Sequence, residues 1–513
     1  MIPSPYPKST RWLIIAPALF LLVFLAIPTA VLVQRGASAD AFLNIISGPS
    51  FRRVAWFTLW QTMLSTVLTV ACALPVTFIL SRFSFTGKRL LLALITAPFL
   101  LPTVVVGTAL FALLPTQMHY TAVAIIIAHV FFNMAVVVRL VMPRWSQIDP
   151  KLIHAAHTLG ASTVHAFRTI TFPLIRPALS FASTAVALFC FTSFGAVRIL
   201  GGPAYSTLET EIYIRSVQLG DLNGAIAIGI IQTVFLVGVL YAWTRFGRHH
   251  ISPLTVNIQA PRPTRATETA LVASIATITG VLAVLPFIAV AWKSASGWSD
   301  VLSQDTVNAL LVSARFAITA SIIATTLGTM IALAISYKST SSQLLETITS
   351  LPLMISAVTV GLGILITFDH SPFEFRSTWW ITPVAHSLIA IPLVVRTVLP
   401  VAQAIPQDLR DAAATLGSSS KDQWIRIDLP LLRRCLATAS ALSAAVSLGE
   451  FGATSFLTRQ TYETLPVSIA RLLSRPGDTQ HAQAFALSTL FFVFSIGAVY
   501  VAETMRATRT KTH

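Results

Sequence analysis

Two features of this sequence have chemical content: a carboxylate inside an apolar stretch, and a polar pattern written twice. The carboxylate is Glu450 in SLGEFGA, the only one that the hydropathy pattern places well inside an apolar segment. An ionisable group at membrane depth is costly and normally faces a polar interior. Glu450, flanked by Gly449 and Gly452, is therefore a candidate for the path of a cationic solute. The other reading is a structural hydrogen bond to a neighbouring backbone or side chain. Between the halves described below, Ser193 stands where Glu450 does, and Phe194 where Phe451 does. A site built on these four residues would be asymmetric.

The repeated pattern is HAAHTLGASTVHAFRTITFP at His154–Pro173 and DAAATLGSSSKDQWIRIDLP at Asp411–Pro430. Each position of the second copy lies 257 residues after its mate, as His154 to Asp411 and Pro173 to Pro430 show. The small residues Ala155 and Ala156, matched by Ala412 and Ala413, let another surface approach closely. Gly160 and Gly417 suit a left-handed cap that ends a helical turn. Pro173 and Pro430 suit the first turn of the helix that follows. This is docking chemistry. No residue is expected to be catalytic or to ligate a metal: His129 and His386 occupy matching positions without a third ligand and suit helix–helix hydrogen bonding. Cys72, Cys190 and Cys435 have no ligand spacing and read as packing residues.

The elements that carry these residues are set by composition. The chain has 513 residues, is 55% hydrophobic and 11% charged, and has a mean hydropathy of +0.75, which implies an all-α polytopic membrane protein. The net charge of +16 does not point to nucleic acid, because the basic residues sit in short loops beside apolar runs. Apolar runs predict about twelve transmembrane helices, near 12–33, 54–80, 90–114, 121–141, 177–197, 224–244, 270–292, 310–337, 345–367, 379–400, 434–456 and 481–502. They divide into two tandem six-helix units, 1–247 and 269–513, joined by a basic, proline-bearing cytoplasmic linker at 248–268. The charge bias places both termini in the cytoplasm, with the first helix uncleaved. Further pairings support parallel repeats, Gly107 with Gly361 and Arg139 with Arg396 among them, with a path between the units. Both arginines read as interface anchors. Phe131, Phe132, Phe191 and Phe194 suit packing, or stacking on a heterocycle. The segments Leu208-Glu209-Thr210 and Tyr462-Glu463-Thr464 fall outside, as docking points for an external protein.

The twin loops resemble the EAA loop of permease subunits of binding-protein-dependent ABC importers. The fused two-unit arrangement is similar to thiamine and ferric-iron permeases, on the strength of AHVFFNMAVVVRL, CFTSFGAVRILGGPAYSTLETEIY and VSLGEFGATSFL followed by ETLP. The resemblance implies that each loop supplies a coupling helix for an ATPase subunit, two copies in all. It also implies an external solute-binding protein and a place in the bacterial inner membrane. The family usually has glutamate at the first loop position; Asp411 keeps that charge and His154 does not. The sequence holds no G-x-x-x-x-G-K-[ST], so ATP belongs to the partner and no cofactor is expected on this chain. The expected activity is passage of thiamine or ferric iron by alternating access. An ion-gradient-driven secondary transporter is the alternative, and it gives the twin loops no task.

Overall fold

The computed structural model describes residues 12–36, 39–246, 261–300, 303–336, 349, 355–369, 378–458 and 462–507. Helices dominate these residues, and there is no strand among them. Lipid offers no partner to a backbone N–H or C=O, so the apolar runs close their hydrogen bonds within themselves. Nine helices among the described residues are long and apolar enough to cross a membrane, Pro49–Arg82, Ala122–Ser146 and Gln304–Ser336 being examples. Counting one sharply bent pair as a span makes ten.

That pair corrects an expectation. The run at 90–114 is two helices, Lys88–Phe99 and Thr103–Leu113, bent by 104°. Pro102 explains the break: it has no N–H to donate, and it forces the residue before it out of helical geometry. Leu101 is extended accordingly, with φ −83° and ψ 151°. The matching run at 345–367 contributes Ala357–Phe368, and its first part lies outside the described residues. The runs at 177–197 and 434–456 also stop short. Their helices end at Phe191 and Gly449, and the chain turns before the short helices Gly195–Leu200 and Thr454–Leu457. Most of the expected linker 248–268, up to residue 260, lies outside the described residues; the next helix begins at Ala266. Pro261 fixes the end of that segment by accepting a bond from Ser84 N at 2.9 Å.

The first helix of each unit packs on the other unit. Trp12–Leu21 lies against Gln304–Ser336, and further along Phe24 meets Phe368 with ring centroids 5.8 Å apart. In return Ala266–Lys293 lies against Lys88–Leu100 and Thr103–Leu113, and Phe287 meets Phe131 at 6.1 Å. A hydrophobic core shared by both units, with Val104, Leu110, Leu362 and Phe456 in it, therefore runs along their boundary. The exchange ties the two halves together without closing the space between them.

The paired glycines of the third segments are not equivalent. A Cβ on Gly361 would stand 2.7 Å from the Ala453 Cα, which is backbone, whereas on Gly107 it would meet the end of the Ile199 side chain at 3.2 Å. We expect Gly361→Ala to cost roughly 1–3 kcal/mol through overpacking, and Gly107→Ala clearly less. Thermal unfolding of the detergent-solubilised protein measures both; equal losses would contradict the close approach at Gly361.

Candidate functional site

The two polar islands fold alike. Pro150–Thr158 and Gln407–Thr415 are nine-residue helices. Gly160 and Gly417 follow with φ of +83° and +80°, the left-handed region where a side chain is strained. In the first copy Gly160 N bonds His157 O and Ala161 N bonds Ala156 O, both at 3.0 Å. In the second, Gly417 N bonds Ala414 O and Ser418 N bonds Ala413 O, also at 3.0 Å. This is the Schellman closure, which satisfies the last carbonyls of each helix. The likeness continues past the cap. One turn of α-helix, Thr163–Ala166 or Ser420–Gln423, leads to five residues of π-helix, Phe167–Thr171 or Trp424–Asp428, and then to long helices with Pro173 and Pro430 in their first turn.

His154, Ala155, Asp411 and Ala412 are exposed, while Ala156 and Ala413 are half-buried. Leu159 and Leu416, just ahead of the glycines, are 89% and 88% exposed. The two leucines thus match in place and in exposure. Beneath the loops the copies differ. Arg410 and Asp428 form a buried ion pair at 2.7 Å, where the first unit has Ile153 and Thr171. In the first loop His157 Nδ1 lies 2.8 Å from Ala161 O, and alanine takes that histidine's place in the second.

At membrane depth the helix breaks enclose a cavity of about 250 Å³ between the units. Ser193, Phe194, Glu450 and Phe451 all line it. Phe194 and Phe451, mates in the repeat, touch with ring centroids 5.1 Å apart. Phe451 also lines a second cavity of about 330 Å³, along with Arg198, Arg471 and Arg475. Of the other phenylalanines singled out, Phe132 lines the central cavity, while Phe131 packs on Phe287 and Phe191 stacks on Phe235 at 4.8 Å. Arg139 and Arg396 are exposed, and Arg139 Nε donates to Thr96 Oγ1.

The Glu450 carboxylate is occupied by its own chain. It accepts from Ala453 N (2.9 Å), Thr454 N (3.0 Å) and Thr454 Oγ1 (2.6 Å), and lies 3.2 Å from His386 Nε2. His386 Nδ1 is in turn 2.7 Å from Ser447 Oγ. Glu450 thus ties the broken helix end to the neighbouring helix. The first unit has Ser193 there, and among the described residues nothing bonds His129 Nε2.

Reading the sequence misses one residue here. Glu209 does not lie in an outer docking segment; it is fully buried on the short helix Leu208–Tyr213 and lines the central cavity. Its carboxylate accepts from Gln232 Nε2 at 2.6 Å and from Ser356 Oγ, in the other unit, at 2.7 Å. The sequence held little signal for this: Ser206, Thr207, Thr210 and Glu211 surround the acid, and only Leu208 and Ile212, both buried, are aliphatic. The matching helix of the second unit, Leu465–Leu473, has Thr464 at its N-cap as this one has Thr207, so Pro466 stands where Glu209 does; Glu463 lies before that cap, bonds Arg471 at 2.7 Å and lines the second cavity.

The family of binding-protein-dependent transport system inner membrane components matches residues 70–252 and again 324–504, each match containing one loop. The chain belongs to this family. Among similar proteins, a thiamine transport system permease of Brucella abortus (strain 2308) is 27% identical over 489 residues, 89% of this chain and 88% of that protein. The thiamine permease of Escherichia coli K12 is 25% identical over 529 residues, 96% of this chain and 97% of that one. A Salmonella typhimurium permease named for 2-aminoethylphosphonate transport is 34% identical over 169 residues, 33% of this chain and 64% of that one. The permease described here thus matches the thiamine proteins along both units.

Replacing Glu450 by Gln removes one of the acceptor oxygens that close the Ala453–Thr454 turn. The permease should lose about 1–3 kcal/mol of stability, the cost of an unsatisfied buried donor. A lower thermal midpoint in detergent is the expected result; an unchanged one would remove Glu450 from the turn's support.

Proposed function

We propose that this permease passes thiamine across the bacterial inner membrane, with both termini cytoplasmic, driven by a separate ATPase that docks on the two loop helices. The twin loops carry the reading: one helix length, one cap geometry and one exposed leucine, repeated 257 residues apart. Two equivalent seats suit two copies of an ATPase subunit, one per loop. An external binding protein then delivers the solute to the space between the units, and the units expose that space to one side and then the other. His154, Ala155, Ala156 and Gly160 serve the first seat, and Asp411, Ala412, Ala413 and Gly417 the second.

For the solute, thiamine is supported over ferric iron by the relatives named for it and by the cavity. Phenylalanine rings hold a flat organic cation well. A hard metal cation favours several oxygen donors. Among the described residues no three His, Cys, Asp or Glu side chains converge.

The test is uptake of labelled thiamine and labelled ferric iron in cells lacking this chain, complemented by the wild type or by Gly160→Val with Gly417→Val. Valine at these left-handed positions costs roughly 1–2 kcal/mol per site. We expect thiamine uptake to depend on the wild type and to collapse in the double variant, while the amount of protein in the membrane changes little. Undiminished uptake by the double variant would contradict loop coupling, and uptake of ferric iron alone would contradict the solute.

A further inference from the structure

The repeat makes His129 and His386 equivalent, yet their surroundings differ in a way that leaves one side of the central cavity open for a ligand. His386 has both ring nitrogens engaged, Nδ1 by Ser447 and Nε2 by Thr454 and Glu450. His129 is equally buried, 2% exposed, and its Nδ1 is held by Ser65 Oγ at 3.1 Å. Its Nε2, on the far side of the ring, has no partner among the described residues. One helical turn on, Asn133 is 1% exposed, its amide nitrogen bonds His129 O, and its Oδ1 has no partner either. Both residues line the central cavity. Buried polar atoms are almost always satisfied, so two orphans on one cavity wall mark a place where a ligand or water completes the set.

Glu209 lines the same space. It accepts two hydrogen bonds from neutral donors, and among the described residues no cationic side chain pairs with it. A carboxylate has room for about four such bonds, so capacity is left over. A buried charge without a counter-charge is costly at membrane depth, and a cation entering the cavity removes that cost. Phe132, Phe194 and Phe451 supply apolar ring surface beside it. A volume of about 250 Å³ is just below the roughly 300 Å³ at which small-molecule sites begin.

We propose that this cavity is a recognition site of the permease itself for a flat organic cation, with Glu209 as its counter-charge and His129 Nε2 and Asn133 Oδ1 as its polar contacts. The proposal rests on the thiamine reading for the identity of the natural solute, but its chemistry does not. Selection then takes place twice, once on the delivering protein and once between the units. Glu209 also joins the units through Ser356, so a cation drawn to this carboxylate sits on a contact that has to change when the halves part.

Two readouts separate this proposal from the thiamine reading. The first is thiamine uptake by cells carrying the wild type, Glu209→Gln or Glu209→Asp. The second is thermal stabilisation of the purified full-length chain by thiamine, by trimethylphenylammonium and by the ammonium's uncharged carbon isostere, tert-butylbenzene. We expect both cations to raise the wild-type midpoint and the isostere not to. Glu209→Gln should lose both shifts and raise the uptake KM roughly ten- to hundredfold, the loss of one charged contact, and Glu209→Asp should retain part of each. Equal responses of the wild type and Glu209→Gln, or of ammonium and isostere, would overturn the site. If the glutamine variant fails to reach the membrane, the wild-type comparison of ammonium with isostere decides alone. A Glu209-dependent ammonium shift in a chain that carries no thiamine sinks the thiamine reading and leaves this one standing. Thiamine uptake indifferent to Glu209→Gln does the reverse.

Discussion

A backbone group left unpaired in hydrocarbon has nowhere to turn, so a membrane helix can break only where the protein supplies the missing partners. This chain breaks its helices at Leu101–Pro102, after Phe191 and after Gly449, and residues at all three breaks line one cavity. Polar side chains serve these ends and the helix starts around them: Thr192 Oγ1 donates to Leu188 O after Phe191, Glu450 accepts from Ala453 and Thr454 after Gly449, Ser356 Oγ accepts from Val358 N, and Thr207 N is caught by Thr210 Oγ1. Polar side chains thus collect at membrane depth because the breaks require them. The site consists of whatever the breaks leave unused, and a carboxylate whose oxygens all serve the backbone differs in kind from one that keeps spare capacity.

The same breaks join the cavity to the surface loops. In each unit the chain leaves the loop glycine, passes through five residues of π-helix and enters a helix that ends at the cavity's edge, at Phe191 or Gly449. Twenty helical residues span about 30 Å, so one rod carries the chain from the π-helical step behind the loop to the turn before Phe194, which meets Phe451 on the boundary. The π-helical step sits where the rod leaves the loop, a common position for such irregularities at functional places.

Periodicity and repeats made the fold class, the two units and the loop geometry legible, because a long apolar run has one good conformation in lipid and a small-residue pattern ending in glycine has one good cap. The places where helices stop inside the membrane were not legible. Leu101–Pro102 is a broken helix rather than a kinked one, and Ser193 and Glu450 lie in turns, although hydropathy runs on through all of them. Glu209 was misplaced for the same reason: a six-residue helix folded back into the interior has the composition of an external loop. Glu450 was visible as an unusual residue, but only the bonds to Ala453 and Thr454 show that its carboxylate supports the turn. Sequence can flag a buried charge; its partners decide what the charge does.

The pattern of likeness and divergence between the units follows from what each surface has to meet. Where the chain faces a partner that comes in two identical copies, on the proposed reading, the repeats agree in helix length, cap geometry and exposure, even though His154 and Asp411 differ in charge. Where it faces a solute, equality would be a handicap, since a small organic cation has no two-fold axis and cannot satisfy two identical half-sites at once. The interior accordingly keeps Phe194 and Phe451 as a symmetric pair but splits the polar residues. Glu450 closes on His386 in one unit, Ser193 leaves His129 open in the other, and Glu209 lines the central cavity where the second unit has Pro466. Duplication supplied the frame, and loss of symmetry at a few polar positions is enough to turn a symmetric gap into an oriented site.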